Sequence, residues 1–340
     1  METRQLGGSD LRLTTVGLGT WAMGGDNWAF GWGPQDDAAS VASVLEALDA
    51  GINWIDTAPV YGLGHGESVV GKAIRNRRSE ITVATKCGRV WDENRQIGKC
   101  LQRESIRREC DASLKRLGID VIDLYQIHWP EPEEEVEEGW SAVAELIEEG
   151  KVRYGGVSNF GYEQLKRAHA IYPVASIQPP YSMFRPEAEK TLFSFCREND
   201  IGVVAYSPMQ AGLLTGAFTK ERAADLPETD WRKRNPYFME PQLSVNLATI
   251  DRLQAFAVRK GWTVAQLALT WALREPVMTS TIVGARKPGQ ILETVKASGR
   301  SLSLDELIEV DSILAEREAS LPNMDESLLR PQPRKPASST

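Results

Sequence analysis

The feature that most constrains this chain is an alternation in which eight short apolar, strand-like runs are separated by longer stretches of helical period. The runs are Thr15 to Gly19, Asn53 to Asp56, Ile81 to Lys86, Ile122 to His128, Val152 to Ser158, Ala175 to Gln178, Gly202 to Ser207 and Thr279 to Gly284. Helical patterns lie between them, such as Asp37 to Ala50 with Gly51 as its cap, Arg103 to Leu117 with Gly118, and Trp140 to Glu149 with Gly150. Eight parallel strands, each followed by a helix, is the count of a closed α/β (β/α)8 barrel; a doubly wound sheet usually has fewer strands and a topological switch. Upstream, Gln5 to Val16 alternate loosely around Gly7-Gly8-Ser9-Asp10, which predicts a β-hairpin that caps the bottom of the barrel.

Two connections break the rhythm. Ala217 to Leu243, around Trp231-Arg232-Lys233-Arg234-Asn235-Pro236, is too polar and irregular for one helix and is expected to form a long loop over the site. Val245 to Trp271 then carries two helical stretches split at Gly261, and Leu304 to Glu318 carries the last. The expectation is one barrel domain over 1–320 and a flexible tail over 321–340, whose Pro, Ser and basic residues cannot build a core.

Composition narrows the function. With 39 Lys plus Arg against 47 Asp plus Glu, the net charge is −8, so no face needs to be basic enough to follow a nucleic-acid backbone. No apolar run approaches the ~18 residues of a membrane span, and the start Met1-Glu2-Thr3-Arg4-Gln5-Leu6 lacks a signal pattern, so a cytoplasmic protein is expected. Cys87, Cys100, Cys110 and Cys196 are far apart with no Cys-x-x-Cys, which suggests neither a metal site nor a disulfide framework.

In a barrel, the candidate chemical groups fall at one face, because they sit at or just past strand C-termini: Asp56 and Tyr61, Lys86, His128 with Trp129, Ser158-Asn159, Gln178, Tyr206-Ser207 and Gly284-Ala285-Arg286-Lys287. A tyrosine with a reference pKa near 10 is a poor acid at neutral pH, and a neighbouring cation that favours phenolate is expected to draw it toward working range. Lys86 is the candidate cation, with Asp56 to hold it and His128 to donate to a carbonyl oxygen. Each residue alone has a structural explanation; their meeting at adjacent strand ends is what points to a carbonyl-polarising proton donor.

Protonating a carbonyl without a metal motif calls for a hydride source, and a nicotinamide is the usual one. Gly17-Leu18-Gly19-Thr20-Trp21-Ala22 fits a Gly-x-Gly-x-x-Ala fingerprint, but Met23-Gly24-Gly25-Asp26 follows where a helix should start, so it reads as a tight turn. A better phosphate site is Gly284-Ala285-Arg286-Lys287-Pro288-Gly289-Gln290, where a helix starting near Pro288 would offer amides beside two cations. Arg286 can grip a phosphate in bidentate fashion, which favours NADPH over NADH.

At these residues the chain resembles an aldo-keto reductase, from Leu6 to about Leu314. The motifs are Gly51-Ile52-Asn53-Trp54-Ile55-Asp56-Thr57-Ala58, Tyr61-Gly62, Ala84-Thr85-Lys86, Asp123-Leu124-Tyr125-Gln126-Ile127-His128-Trp129, Gly156-Val157-Ser158-Asn159-Phe160, Gln178-Pro179-Pro180-Tyr181 and the Gly284 to Gln290 turn. That turn and the long loop are most similar to the bacterial general-stress branch of the superfamily. The resemblance implies NADPH-dependent reduction of aldehydes or ketones with the tetrad Asp56, Tyr61, Lys86 and His128. It also implies that Ser158, Asn159 and Gln178 hold the carboxamide, Tyr206 stacks on the nicotinamide, and Ser207 with Gly212 and Leu213 meets the pyrophosphate. Arg286 would meet the 2′-phosphate, with Gln290 and Glu293 near the adenosine; Thr294 stands where the family commonly has Asn, which removes one adenine contact. Trp21, Trp28, Trp32 and Trp129 are the candidate walls of a pocket for a small carbonyl substrate, suited to a sugar face or an apolar carbonyl. Two rivals share these residues: a regulatory subunit similar to potassium-channel β-subunits, and an NAD-dependent sugar dehydrogenase. Oligomeric state is not legible.

Overall fold

The structure is a computed structural model and describes residues 1–26, 28–228 and 230–321. Eight parallel strands close into a barrel in chain order: β1 (Val16–Gly19), β2 (Trp54–Asp56), β3 (Thr82–Cys87), β4 (Ile122–Ile127), β5 (Val152–Ser158), β6 (Ser176–Gln178), β7 (Gly202–Tyr206) and β8 (Met278–Gly284), with β8 pairing back onto β1. All eight expected runs are strands, within a residue or two at their ends. The helix ends follow local chemistry as well. Asp36 accepts from the Ala39 amide to start Asp37–Asp49, and Gly118, at φ +67°, returns its amide to Leu114 to end Arg103–Leu117.

Period-two alternation sorts the strand side chains into two layers. Ile55, Val83 and Val283 face outward into the cluster with Val44 and Val70 of the surrounding helices. Inward, Trp54, Ala84, Leu124, Val204 and Ile282 meet Leu6, Leu11 and Leu13 of the N-terminal hairpin. The hairpin strands are Thr3–Gln5 and Arg12–Thr14, about two residues ahead of the expected span. Trp54 fills the lower barrel, its indole N–H donating to Thr14 O and Ser280 Oγ at 3.1 Å each. Gly17 makes room for it, since a Cβ there would lie 2.0 Å from the Trp54 ring. Two residues further up four of these rows stand Asp56, Lys86, Gln126 and Tyr206, and Gln178 at the end of β6 joins them. The interior thus changes from apolar at the plugged bottom to polar at the C-terminal mouth.

Differences from the sequence reading lie in the connections. The helix expected over Trp140 to Glu149 begins four residues earlier, at Val136–Glu148. The Ala217 to Leu243 segment is irregular but not structureless: it holds a short helix, Lys220–Ala224, and 3-10 turns Trp231–Arg234 and Pro236–Phe238. The next helix, Gln242–Arg259, starts inside it, and Val264–Ala272 follows. A second small hairpin, Arg89–Trp91 with Ile97–Lys99, leaves the mouth after β3 and had no clear sequence signal. Apart from Leu321, the expected tail lies outside the described residues. Among the described residues, no helix is long and apolar enough to cross a membrane.

Candidate active site

Asp56 ends β2, and Lys86 stands one strand over on β3; both are almost wholly buried, at 3% and 0% exposure. The Lys86 Nζ donates to Asp56 Oδ2 at 2.6 Å, to Thr57 O at 2.9 Å and to the Tyr61 hydroxyl at 3.4 Å. Tyr61 arrives on the loop after β2, where Gly24 and Gly62 permit a close crossing: a Cβ on Gly24 would lie 2.7 Å from the Gly62 amide nitrogen. The Tyr61 ring stands edge-on to His128 at 5.9 Å between centroids, and Trp28 meets it, tilted, at 6.0 Å. The four residues expected to form a tetrad are therefore together at the mouth.

Sequence reasoning missed the other half of this network. Asp56 Oδ1 accepts from Gln178 Nε2 at 2.8 Å and from Gln126 Nε2 at 3.3 Å, and Gln178 also donates to Gln126 Oε1 at 3.2 Å. Gln126 is fully buried and two residues before His128, on the inward row of β4. That placement was the available signal, since a polar residue in an otherwise apolar strand needs a partner. Behind the barrel wall, buried Glu67 accepts from Thr85 Oγ1 and Arg116 Nε, both at 2.6 Å, tying β3 to its flanking helices.

The electrostatics reverse one expectation. Lys86 does not draw the Tyr61 phenol toward neutrality: burial, then the Asp56 charge and the Tyr206 hydroxyl, hold it well above its usual range. The reason is that Asp56 offsets the lysine's charge while burial disfavours phenolate. Burial lowers Lys86 itself, with Asp56 opposing. Burial, Lys86 and Arg89 push His128 well below the usual imidazole range. At neutral pH the set is thus a neutral phenol and a neutral imidazole. The buried Nδ1 of His128 has no partner among the described residues, so a proton assigned to Nε2 avoids burying an unsatisfied N–H.

Around the mouth, Ser158 Oγ donates to Gln178 O at 3.0 Å, Asn159 Nδ2 donates to His128 O at 3.0 Å, and the Tyr206 hydroxyl donates to Asn159 Oδ1 at 2.8 Å. Asn159 and Ser207, directly after β5 and β7, have φ of +62° and +54°, and Gln210 and Ala211 are left-handed as well. Such conformations cost about 1–3 kcal/mol each and cluster at binding sites. Gly212 is partly exposed, whereas the Leu213 side chain is fully buried, leaving only its backbone for a ligand.

The β8 turn departs from the phosphate site expected of it. Its helix begins at Gln290, not near Pro288, and its amides are taken: those of Arg286 and Lys287 donate to Gln290 Oε1, and that of Gly289 to Glu46 Oε2 at 2.6 Å. The cations remain. Lys287 is exposed, as are Gly284 and Glu293. Arg286 reaches across to the loop after β1, holding Trp32 O, Pro34 O and Gln35 Oε1. Trp32 in turn meets Trp21 and Trp231, so of the four expected pocket tryptophans Trp28 lies against Tyr61 while Trp21 and Trp32 form a bridge between loops. Trp129 lies under the Arg89 guanidinium, 5.6 Å from its ring centre. Buried donors on these loops find no partner among the described residues: the Trp32 and Trp231 indole N–H groups and Arg234 Nε and Nη2. Donors left unpaired on the loops around the mouth fit a ligand rich in acceptors, such as a dinucleotide.

Comparison with known proteins gives the chain's family. A sequence profile of the Aldo/keto reductase family matches residues 15–315. The chain is 38% identical to the aldo-keto reductase YhdN of Bacillus subtilis, over 92% of this chain and 94% of that one. It is 36% identical to the NADH-specific methylglyoxal reductase of Escherichia coli, over 89% and 95%. Among solved structures it resembles the glycerol dehydrogenase AKR11B4 from Gluconobacter oxydans, with a TM-score of 0.86 and 37% identity over 94% of this chain and 97% of that one. The chain belongs to the aldo/keto reductase family.

Proposed function

We propose that this protein reduces aldehydes or ketones to alcohols with NADPH, with Tyr61 as the proton donor. The observation that carries the reading is the Tyr61 hydroxyl 3.4 Å from a buried lysine that is itself 2.6 Å from Asp56. A bound nicotinamide supplies the hydride. The protein's residues do the rest. His128, neutral, offers its Nε2 proton to the substrate oxygen and orients it. Tyr61 releases its phenol proton to that oxygen as negative charge develops there, and the Lys86 ammonium stabilises the phenolate left behind. Asp56, held by two glutamines, fixes Lys86. Oxidation of an alcohol uses the same groups in reverse.

Ser158, Asn159 and Gln178 are the residues suited to a carboxamide, since Gln178 has spent its donors on Asp56 and Gln126 and keeps its carbonyl as an acceptor. Tyr206 stands where a ring could stack, Ser207, Gly212 and the Leu213 backbone suit a pyrophosphate, and Gly284, Gln290 and Glu293 border the adenosine end. Arg286 and Lys287 support NADPH. The Glu46 carboxylate on the Gly289 amide favours the second reading, a preference for NADH, because it places negative charge on the same turn. The decisive measurement is cofactor oxidation at 340 nm with NADPH and NADH in parallel against small aldehydes, including glyceraldehyde, methylglyoxal and an aromatic aldehyde. Turnover with a lower KM for NADPH is expected. Turnover with NADH alone would replace the cofactor assignment, and tight cofactor binding without turnover would return the protein to the regulatory class.

A further inference from the structure

Arg286 occupies an unusual position between two parts of the site. A guanidinium has five N–H donors. Here Nε donates to Gln35 Oε1 at 2.9 Å, Nη1 to Trp32 O at 3.0 Å and Nη2 to Pro34 O at 2.7 Å. One N–H is left on each terminal nitrogen, a donor that a phosphate oxygen can take. The three groups already held are all uncharged and belong to the loop after β1.

That loop leads to the candidate proton donor through ring contacts. Trp32 stands edge-on to Trp21 at 5.5 Å and to Trp231 at 5.8 Å, and Trp21 stacks on Trp231 at 5.6 Å. The Trp21 indole donates to Phe30 O at 3.1 Å, Phe30 meets Trp28 at 5.9 Å, and Trp28 meets Tyr61 at 6.0 Å. The charges around Arg286 are out of balance. Burial first, and then the Arg232 guanidinium that lies over the Trp32 ring at 4.9 Å, disfavour the Arg286 charge; Asp230, whose charge opposes them, is already bound by Arg232 at 2.7 Å. Arg286 thus has no carboxylate bonded to it among the described residues, and a doubly charged anion there offsets both its burial and its repulsion with Arg232.

We propose that Arg286 is a positioning residue that couples the 2′-phosphate of the dinucleotide to the tryptophan wall of the substrate pocket, so that NADPH tightens carbonyl binding and NADH does not. The coupling rests on the NADPH reading above and adds to it a direction: the phosphate stabilises the arrangement in which Trp32–Gln35 are held, and the carbonyl binds that arrangement better. By linkage the carbonyl tightens NADPH by the same factor.

The test separates the coupling from the cofactor assignment. Hydrogen exchange over residues 28–36 and acrylamide quenching of tryptophan fluorescence are followed as wild-type protein is titrated with adenosine 2′,5′-bisphosphate or with 5′-AMP, and binding is measured by calorimetry. The bisphosphate is expected to slow exchange across 28–36 and reduce quenching, and 5′-AMP to do neither. In steady state, the carbonyl KM with saturating NADPH is expected to be about tenfold below that with saturating NADH, within the usual range of coupling energies, and kcat should differ much less. In Arg286→Ala that KM ratio falls to about one. If the bisphosphate binds tightly with exchange over 28–36 unchanged, the coupling is wrong and the NADPH reading stands. If the bisphosphate does not bind, both are wrong. Because the ligand titrations use the wild type, a poorly folding variant leaves the outcome intact.

Discussion

The two halves of the mouth are built differently. At the barrel axis, Asp56, Lys86, Gln126 and Gln178 are buried and bonded to one another by distances of 2.6 to 3.3 Å. At the rim, on the loops after β1 and β7, the Trp32 and Trp231 indoles and Arg234 carry buried donors with no partner among the described residues. A closed network on strands is preorganised; an incomplete one on loops is finished by what binds there. The comparison implies that damage to the axis reduces turnover and stability, and damage to the rim reduces affinity and selectivity.

The largest effect expected is at the axis. Tyr61→Phe should lower turnover by roughly 10²–10⁴-fold or more, with NADPH affinity by fluorescence titration little changed. Unchanged turnover would remove Tyr61 from the chemistry. Lys86→Met leaves the Asp56 carboxylate buried without its cation, and breaking such a pair costs about 3–5 kcal/mol, which urea unfolding of wild type and variant would detect. Next is Gln126→Leu, which removes one of the two amide donors on Asp56 Oδ1. A loss of about 1–3 kcal/mol in stability is expected, together with a shifted pH profile for kcat; a stability loss with an unmoved profile would make Gln126 purely structural.

The pH dependence separates the halves without mutation. His128 is held below its usual pKa and Tyr61 above, so kcat should stay flat between about pH 6.5 and 8. The KM for NADPH should rise as pH falls through about 6, where a phosphate loses its second charge. A kcat that titrates near pH 6.5 would mean that His128 is exposed to water during turnover. Its folded-state pKa is depressed, so the unfolded chain binds the extra proton first, and the His128 contribution to stability is present above about pH 6.5 and lost as pH falls below it. The smallest effect belongs to Lys287→Ala at the rim. An exposed cation near a phosphate is worth about 0.2–1 kcal/mol, so the KM for NADPH should rise by a few fold, fade with added salt and leave the KM for NADH unchanged.

The axis was more legible in the sequence than the rim. Asp56, Lys86 and His128 end apolar strand runs, so their meeting follows once eight such runs close into a barrel. Gln126 and Glu67 were missed because strand periodicity says which face a residue shares and not which hydrogen bonds it makes. The β8 turn was misjudged for a related reason: Gly284 to Gln290 has the composition of an anion site, but its amides are filled by the motif's own Gln290 side chain and, from far away in the sequence, by Glu46.

By itself, the sequence determined the eight strands, most helix ends, the apolar bottom beneath a polar mouth, and the residues gathered there. These depend on interactions between near neighbours: side-chain alternation, capping and the positive φ that glycine tolerates. Only the tertiary structure decided what Arg286 holds, how Trp21, Trp32 and Trp231 bridge the loops, and that Tyr61 is kept a phenol beside a lysine. Arg286 and Trp32 are 254 residues apart, and no local pattern encodes their contact. It exists because barrel closure pairs β8 with β1, and the phenol stays protonated because burial and Asp56 together outweigh the lysine's charge.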